Sequence, residues 1–222
     1  SADDLAGGGI FISAISNVTI SNCIVSGNYS NGHGGGIFVD YNSTATVTNS
    51  LISNNIAYRR GGGILANQTA QSIAEVKIRN CTIVNNFAAE GGGICCYGSA
   101  LGASIYNSIL WGNNATFEGD QMSAATWTDS INLYDCDYQS APNAIGGIGE
   151  VLRENCIVDD PFFVDSEAGN FTLQADSPCI DTGSNANAPS GLVVDLGGQP
   201  RFVDGNEDDE AIIDMGAYEY QP

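Results

Sequence analysis

One four-residue word, Gly-Gly-Gly-Ile, is written four times, at Gly7–Ile10, Gly34–Ile37, Gly61–Ile64 and Gly91–Ile94, with first glycines 27, 27 and 30 residues apart. A fixed period in that range marks stacked supersecondary units, none of which can bury its apolar face alone. Two further words keep step. Asn22-Cys23, Asn49-Ser50, Asn80-Cys81 and Asn107-Ser108 form one; the other sets an apolar residue three places before an asparagine, in Val25/Asn28, Ile52/Asn55, Ile83/Asn86 and Leu110/Asn113. Between words there is no helical periodicity, only three short β-branched pieces such as Gly9-Ile10-Phe11-Ile12, Asn17-Val18-Thr19-Ile20 and Cys23-Ile24-Val25. Three short strands per repeat without a crossover helix predict an all-β chain, a right-handed parallel β-helix (solenoid) of about five or six coils stacked roughly 4.8 Å apart.

The words assign roles within a coil. Ile10, Ile37, Ile64 and Ile94 make one apolar ladder; Val25, Ile52, Ile83 and Leu110 make another. Glycine supplies positive φ and close backbone approach at one corner. Asparagine tolerates left-handed geometry and can bond the amide of the next coil at the others. Cys23, Ser50, Cys81 and Ser108 read as a small inward stack, and of Cys95-Cys96 one is expected to face in and one out. The coils should run over residues 1–158, regular in 7–117 and irregular in 118–158, with 141–149 a loop. Residues 159–222 form an irregular closing segment packed on the helix.

The formal net charge is −20, with 26 acids against six bases, so the surface repels nucleic acid and anionic lipid, and neither is expected as a partner. Only five acids precede residue 118; the other 21 follow. No apolar run is long enough to span a membrane. Ser1-Ala2-Asp3-Asp4 has neither the basic start nor the apolar core of a signal peptide, so a processed or trimmed chain is expected. Scarce lysine, abundant Asn, Ser, Thr and Gly, and a repetitive core point to an extracellular or cell-surface location.

Gly-Gly-x-Ile words alternating with apolar-x-x-Asn words resemble the repeats of chlamydial polymorphic outer-membrane proteins and, more broadly, bacterial surface proteins of the pectate-lyase-like β-helix superfamily. Asp160-Pro161-Phe162-Phe163-Val164-Asp165, Gly169-Asn170-Phe171-Thr172-Leu173, Ser177-Pro178-Cys179-Ile180-Asp181-Thr182-Gly183, Asp195-Leu196-Gly197-Gly198-Gln199-Pro200-Arg201 and Ile213-Asp214-Met215-Gly216-Ala217-Tyr218-Glu219 follow in order. That succession resembles the closing segment of "choice-of-anchor" β-helix surface proteins. The resemblance implies fold and a surface setting; it assigns no reaction.

Candidate sites are few. Asp204, Asn206, Asp208, Glu210 and Asp214 place oxygen ligands at alternating positions of a glycine-containing loop, which suits structural Ca2+, although Met215 stands at the twelfth position of an EF-type loop. Arg59, Arg60, Lys77 and Arg79 are four of the six bases and form a possible ligand face for a sugar carboxylate. A glycosidase needs paired carboxylates; Asp159-Asp160 and Asp135/Asp137 are the pairs in view. His33 has no partners at the spacing of a triad or zinc site. Cys136 and Cys156 could bond if their coils adjoin, though in-register parallel strands suit a disulfide poorly. Seven sequons begin at Asn17, Asn28, Asn42, Asn67, Asn80, Asn114 and Asn170, so a secreted chain could carry glycan there.

The first glycine word begins at residue 7, leaving only six residues to cover the first coil. An uncovered coil invites association. The leading expectation is therefore a non-catalytic, extracellular structural or adhesive protein whose partners are surface carbohydrate or itself, stacked head to tail into filaments. The alternative is a carbohydrate-active enzyme or the non-catalytic part of one.

Overall fold

The computed structural model describes residues 7–67, 74–98 and 102–222. The chain is an all-β, right-handed parallel solenoid with four faces. Face A stacks six strands from Ile10–Ile12 to Ile145–Gly147, and face B six from Asn17–Ser21 to Glu150–Glu154. Face C stacks five, from Ile24–Ser26 to Asp137–Tyr138, and face D four, Tyr29–Ser30, Ile56–Ala57, Phe87–Glu90 and Asn114–Glu118. Three strands per coil were expected. The fourth face is missed because its first two members are only two residues long, too short for alternation to show.

Both expected apolar ladders are present. Ile10, Ile37 and Ile64 are successive Cα partners, as are Ile64 and Ile94; Val25, Ile52, Ile83 and Leu110 repeat this on face C. On face B the inward positions Ile20, Val47, Ile78, Ile105 and Leu133 are buried. Arg153 then takes the same rung in the last coil, where it donates to the Tyr138 hydroxyl at 3.3 Å. A charge on an inward rung at the end of a stack is a recognised guard against edge-to-edge association.

The corners carry the sequence signature. Gly34, Gly61 and Gly91 have φ near +60°, and a Cβ on Gly62 would lie 2.5 Å from two backbone oxygens, so the word needs glycine for two separate reasons. Asn28, Asn55, Asn86 and Asn113 form a continuous amide ladder, each Nδ2 donating to the next Oδ1 at 2.9–3.0 Å. Gln121 completes it, accepting from Asn113 Nδ2 at 2.8 Å. Asn22, Asn49, Asn80 and Asn107 all sit at positive φ between faces B and C.

One local reading is corrected: within 141–149, Ile145–Gly147 is a strand, paired with Met122–Ala124 on face A. As expected, Cys96 faces the main core and Cys95 the other side of face A, where it is buried with Phe38 and Leu65.

Residues 159–222 lie along the outside of face C. Leu51, Val84 and Ile109 are buried there against Phe171, Leu173, Cys179, Ile180 and Met215. The B–C corners hold the segment: Asn49 Nδ2 donates to the Val194 carbonyl at 3.2 Å, Asn107 exchanges two bonds with Ser184 at 2.8 and 3.0 Å, and Asp135 accepts from Asn187 at 2.8 Å.

Candidate functional site

The interior of the closing segment is built on one buried cation. Arg201 is wholly buried; its Nη2 donates to the Asp214 and Gly216 carbonyls, and its Nε lies 3.4 Å from Glu219 Oε2. Asp214 accepts the backbone N–H of Asp181 at 2.8 Å and of Tyr220 at 2.6 Å. Asp195 accepts from Glu219 N at 3.0 Å and Gln199 N at 2.8 Å. Burial and the charge of Asp214 push Glu219 up to about 9, against the pull of Arg201, and burial lifts Asp214 to about 6. Burial also lifts Asp137, at the face C contact, to about 7, where its Oδ2 accepts from the Cys179 thiol at 3.3 Å. Sequence reading gave Arg201 no role.

This network settles how the proposed calcium ligands are disposed. Asp214 belongs to the buried Arg201 cluster. Asp204 turns both carboxylate oxygens onto its own loop, accepting from Asp208 N and Asp209 N, and Asn206 and Asp208 likewise accept loop N–H groups. Glu210 is exposed. Among the described residues no group of three or more of His, Cys, Asp and Glu is placed to hold a metal ion.

The four cations also separate. Lys77 and Arg79 share the outer side of face B, where Lys77 pairs with Glu75 at 3.1 Å and the Arg79 guanidinium stacks 4.6 Å from the Tyr106 ring centre. Arg59 and Arg60 lie at the corner between faces D and A and line a groove of about 810 Å³. Its floor is a ladder of side chains, Tyr29, Ile56 and Phe87, which are Cα partners in successive coils. Tyr58 and Phe117 are also in its lining and are 70% and 77% exposed. At the arginine end Arg60 Nε donates to Glu90 Oε2 at 2.6 Å, while its guanidinium stands 3.9 Å from the Tyr97 ring centre. The aromatic wall went unread in the sequence, although Tyr29, Ile56 and Phe87 each follow a ladder asparagine.

Asp159 and Asp160 are both exposed, and Asp160 Oδ1 accepts from Phe162 N at 2.9 Å. Asp135 binds Asn155 and Asn187, and Asp137 is sealed beneath the closing segment, so the two meet different partners. Instead Glu90 and Glu118 are Cα partners on adjacent rungs beside the groove. Of the sequons, Asn17, Asn42, Asn114 and Asn170 are exposed, and Asn67 is half-buried, donating to Asp40. Asn80 is fully buried and Asn28 is held in the amide ladder, so neither offers a free amide to a glycan.

Residues 2–137, more than half of the chain, match the family model of the right-handed β-helix region. The chain belongs to that family. No curated protein and no solved structure matches it. No helix among the described residues of this β-helix is long and apolar enough to cross a membrane.

Proposed function

We propose that this β-helix is a non-catalytic, extracellular or cell-surface adhesive protein that binds a linear carbohydrate chain in the face D groove. The observation that carries the reading is the groove itself: exposed aromatic rings beside an Arg–Glu pair, all on one rigid stack. Rings held by a sheet lose little freedom on binding and offer apolar faces to sugar C–H groups, while planar guanidinium and carboxylate groups fix hydroxyls. Floor side chains repeat once per coil, roughly every 4.8 Å, which suits a polymer with its own regular repeat lying along the axis. Head-to-tail stacking is the weaker partner hypothesis, because it would set Arg153 against an apolar rung of the next molecule.

The test is binding of neutral and uronate-bearing oligosaccharides, by array and then calorimetry, to the wild type and to Tyr58→Ala and Phe117→Ala. A loss of about tenfold or more in each variant with an unchanged melting temperature is expected, since both side chains are largely solvent-facing. Absence of glycan binding, or binding that ignores both substitutions, would overturn the proposal. One observation favours the enzyme reading: Glu90 and Glu118 are Cα partners on neighbouring rungs beside the groove, and glycoside hydrolysis uses a pair of neighbouring carboxylates. Release of reducing ends in the same samples, lost in Glu118→Gln, would decide for it.

A further inference from the structure

The rung after each B–C corner holds Cys23, Ser50, Cys81, Ser108, Cys136 and Cys156 in successive coils. Sulfur and oxygen alternate through the first five. Each serine Oγ accepts the backbone N–H of the cysteine one coil earlier, Cys23 to Ser50 at 3.1 Å and Cys81 to Ser108 at 3.1 Å. Only at the last step do two cysteines meet. Asp137 bridges Ile157 in parallel register, Ile157 N donates to the Cys136 carbonyl at 2.9 Å, and Asn155 Nδ2 reaches Asp135 Oδ1 at 3.2 Å. The residues flanking both cysteines are therefore paired, which sets the two Cα atoms one rung apart. One rung, roughly 4.8 Å, lies within the Cα separation a disulfide spans. The Cys136 thiol donates to the Tyr134 carbonyl at 3.2 Å and the Cys156 thiol to the Glu154 carbonyl at 3.4 Å, each two residues back, and Cys136 is buried and Cys156 half-buried. The strand Glu150–Glu154 that leads to Cys156 pairs on one side only and is exposed over 152–155, so it is free to make the small shift that brings the two Cβ atoms into range.

We propose that Cys136 and Cys156 are a reversible disulfide site that staples the last coil to its neighbour, with a low-molecular-weight disulfide as the oxidant. The Cys156 thiolate attacks one sulfur of the oxidant and expels a thiolate, giving a mixed disulfide. Cys136 then gives up its proton to that thiolate and attacks the Cys156 sulfur, expelling the second thiolate, which takes up the proton that Cys156 released. Two protein thiols lose two electrons and two protons, and one small disulfide becomes two thiols. The order follows from the environments: the neighbouring Cys136 thiol holds Cys156 down at about 7, while burial keeps Cys136 well above the ordinary thiol range.

The full chain is treated with oxidised glutathione at pH 8, alkylated without denaturant, digested and mapped by mass. A peptide pair joined through Cys136 and Cys156, lighter by two hydrogens, is expected. Hydrogen exchange over Glu150–Glu154 should slow by roughly 30-fold or more. Cys136→Ser and Cys156→Ser should each abolish linkage and slowing. Serine already fills this rung at Ser50 and Ser108, so these variants keep the ladder, and matching exchange of the reduced proteins elsewhere verifies it. Glutathione left standing on Cys156 without closure, or linkage without slower exchange, would overturn the proposal.

Discussion

The coils and the closing segment solve one problem in opposite ways. Both must bury polar groups with partners. The coils do it by repetition: Asn28, Asn55 and Asn86 each meet the equivalent asparagine one rung on, and among the described residues the main core of the stack is apolar. The closing segment does it once, with Arg201, Asp214, Glu219 and Asp195 each placed for its own partners. The charge division follows. Up to residue 117 there are four bases and five acids, a net of −1; from Glu118 onward there are two bases and 21 acids, a net of −19. A repeated neutral ladder tolerates loss of one coil's detail, whereas a single ionic cluster stands or falls with its one cation.

Removing that cation gives the largest effect. Arg201→Met takes the buried donor from the Asp214 and Gly216 carbonyls and the partner from Glu219, at a cost of about 3–5 kcal/mol. The segment should detach while the coils stay folded. Trp111 reports this, because it is half-buried beneath the segment, whereas Trp127 is exposed. A red-shifted Trp emission with unchanged far-UV dichroism is the expected result. Loss of both signals together would show that the two regions fold as one unit and break the comparison.

The matching test on the coil side is Asn86→Ala. Asn86 Oδ1 accepts from Asn55 N and Nδ2, and its Nδ2 donates to the Ile52 carbonyl at 3.0 Å, so truncation leaves several buried groups unpaired. A cost of about 2–3 kcal/mol is expected, read by chemical denaturation of the coils. Trp111 emission should be unchanged at low denaturant, since the ladder lies away from face C's outer surface.

How much of this the sequence shows depends on whether a residue's partner is its own equivalent. Ladder residues are legible because a rung forces the same choice every coil. Where that pressure relaxes the word dissolves: Gly119-Asp120-Gln121-Met122 is a fifth glycine word, aligned with Gly91–Ile94 by register, but only Gly119 keeps a positive φ, at 76°. Covering of face C was written in Leu51-Ile52 and Ile109-Leu110, consecutive apolar residues that bury both sides of a strand, in contrast to the alternation of face B. Arg201 left no such trace. Its partners lie 13–18 residues away in a segment without period, so nothing in the chain marks it as internal. The four bases looked like one patch because they are close in sequence, yet a coil turns through four faces, and that separates Arg59 and Arg60 from Lys77 and Arg79.

The most discriminating effect is on pH. Asp137, Asp214 and Glu219 all have acid constants raised by burial, to about 7, 6 and 9. Each therefore holds a proton in the docked state at a pH where the detached chain has released it. Docking is fully supported below the ordinary carboxylate range and weakens as pH rises through the raised values. The sense is opposite to ordinary acid denaturation. Between pH 5 and 8 the docked segment should lose stability, read as a falling midpoint of the Trp111 transition. Asp137→Asn should flatten the part of the slope near pH 7, because an amide keeps the contact to Cys179 without titrating. A segment that docks more firmly at pH 8 than at pH 5 would mean that Arg201 holds the acids ionised, and that the cluster is a conventional ion-pair network rather than a protonated one.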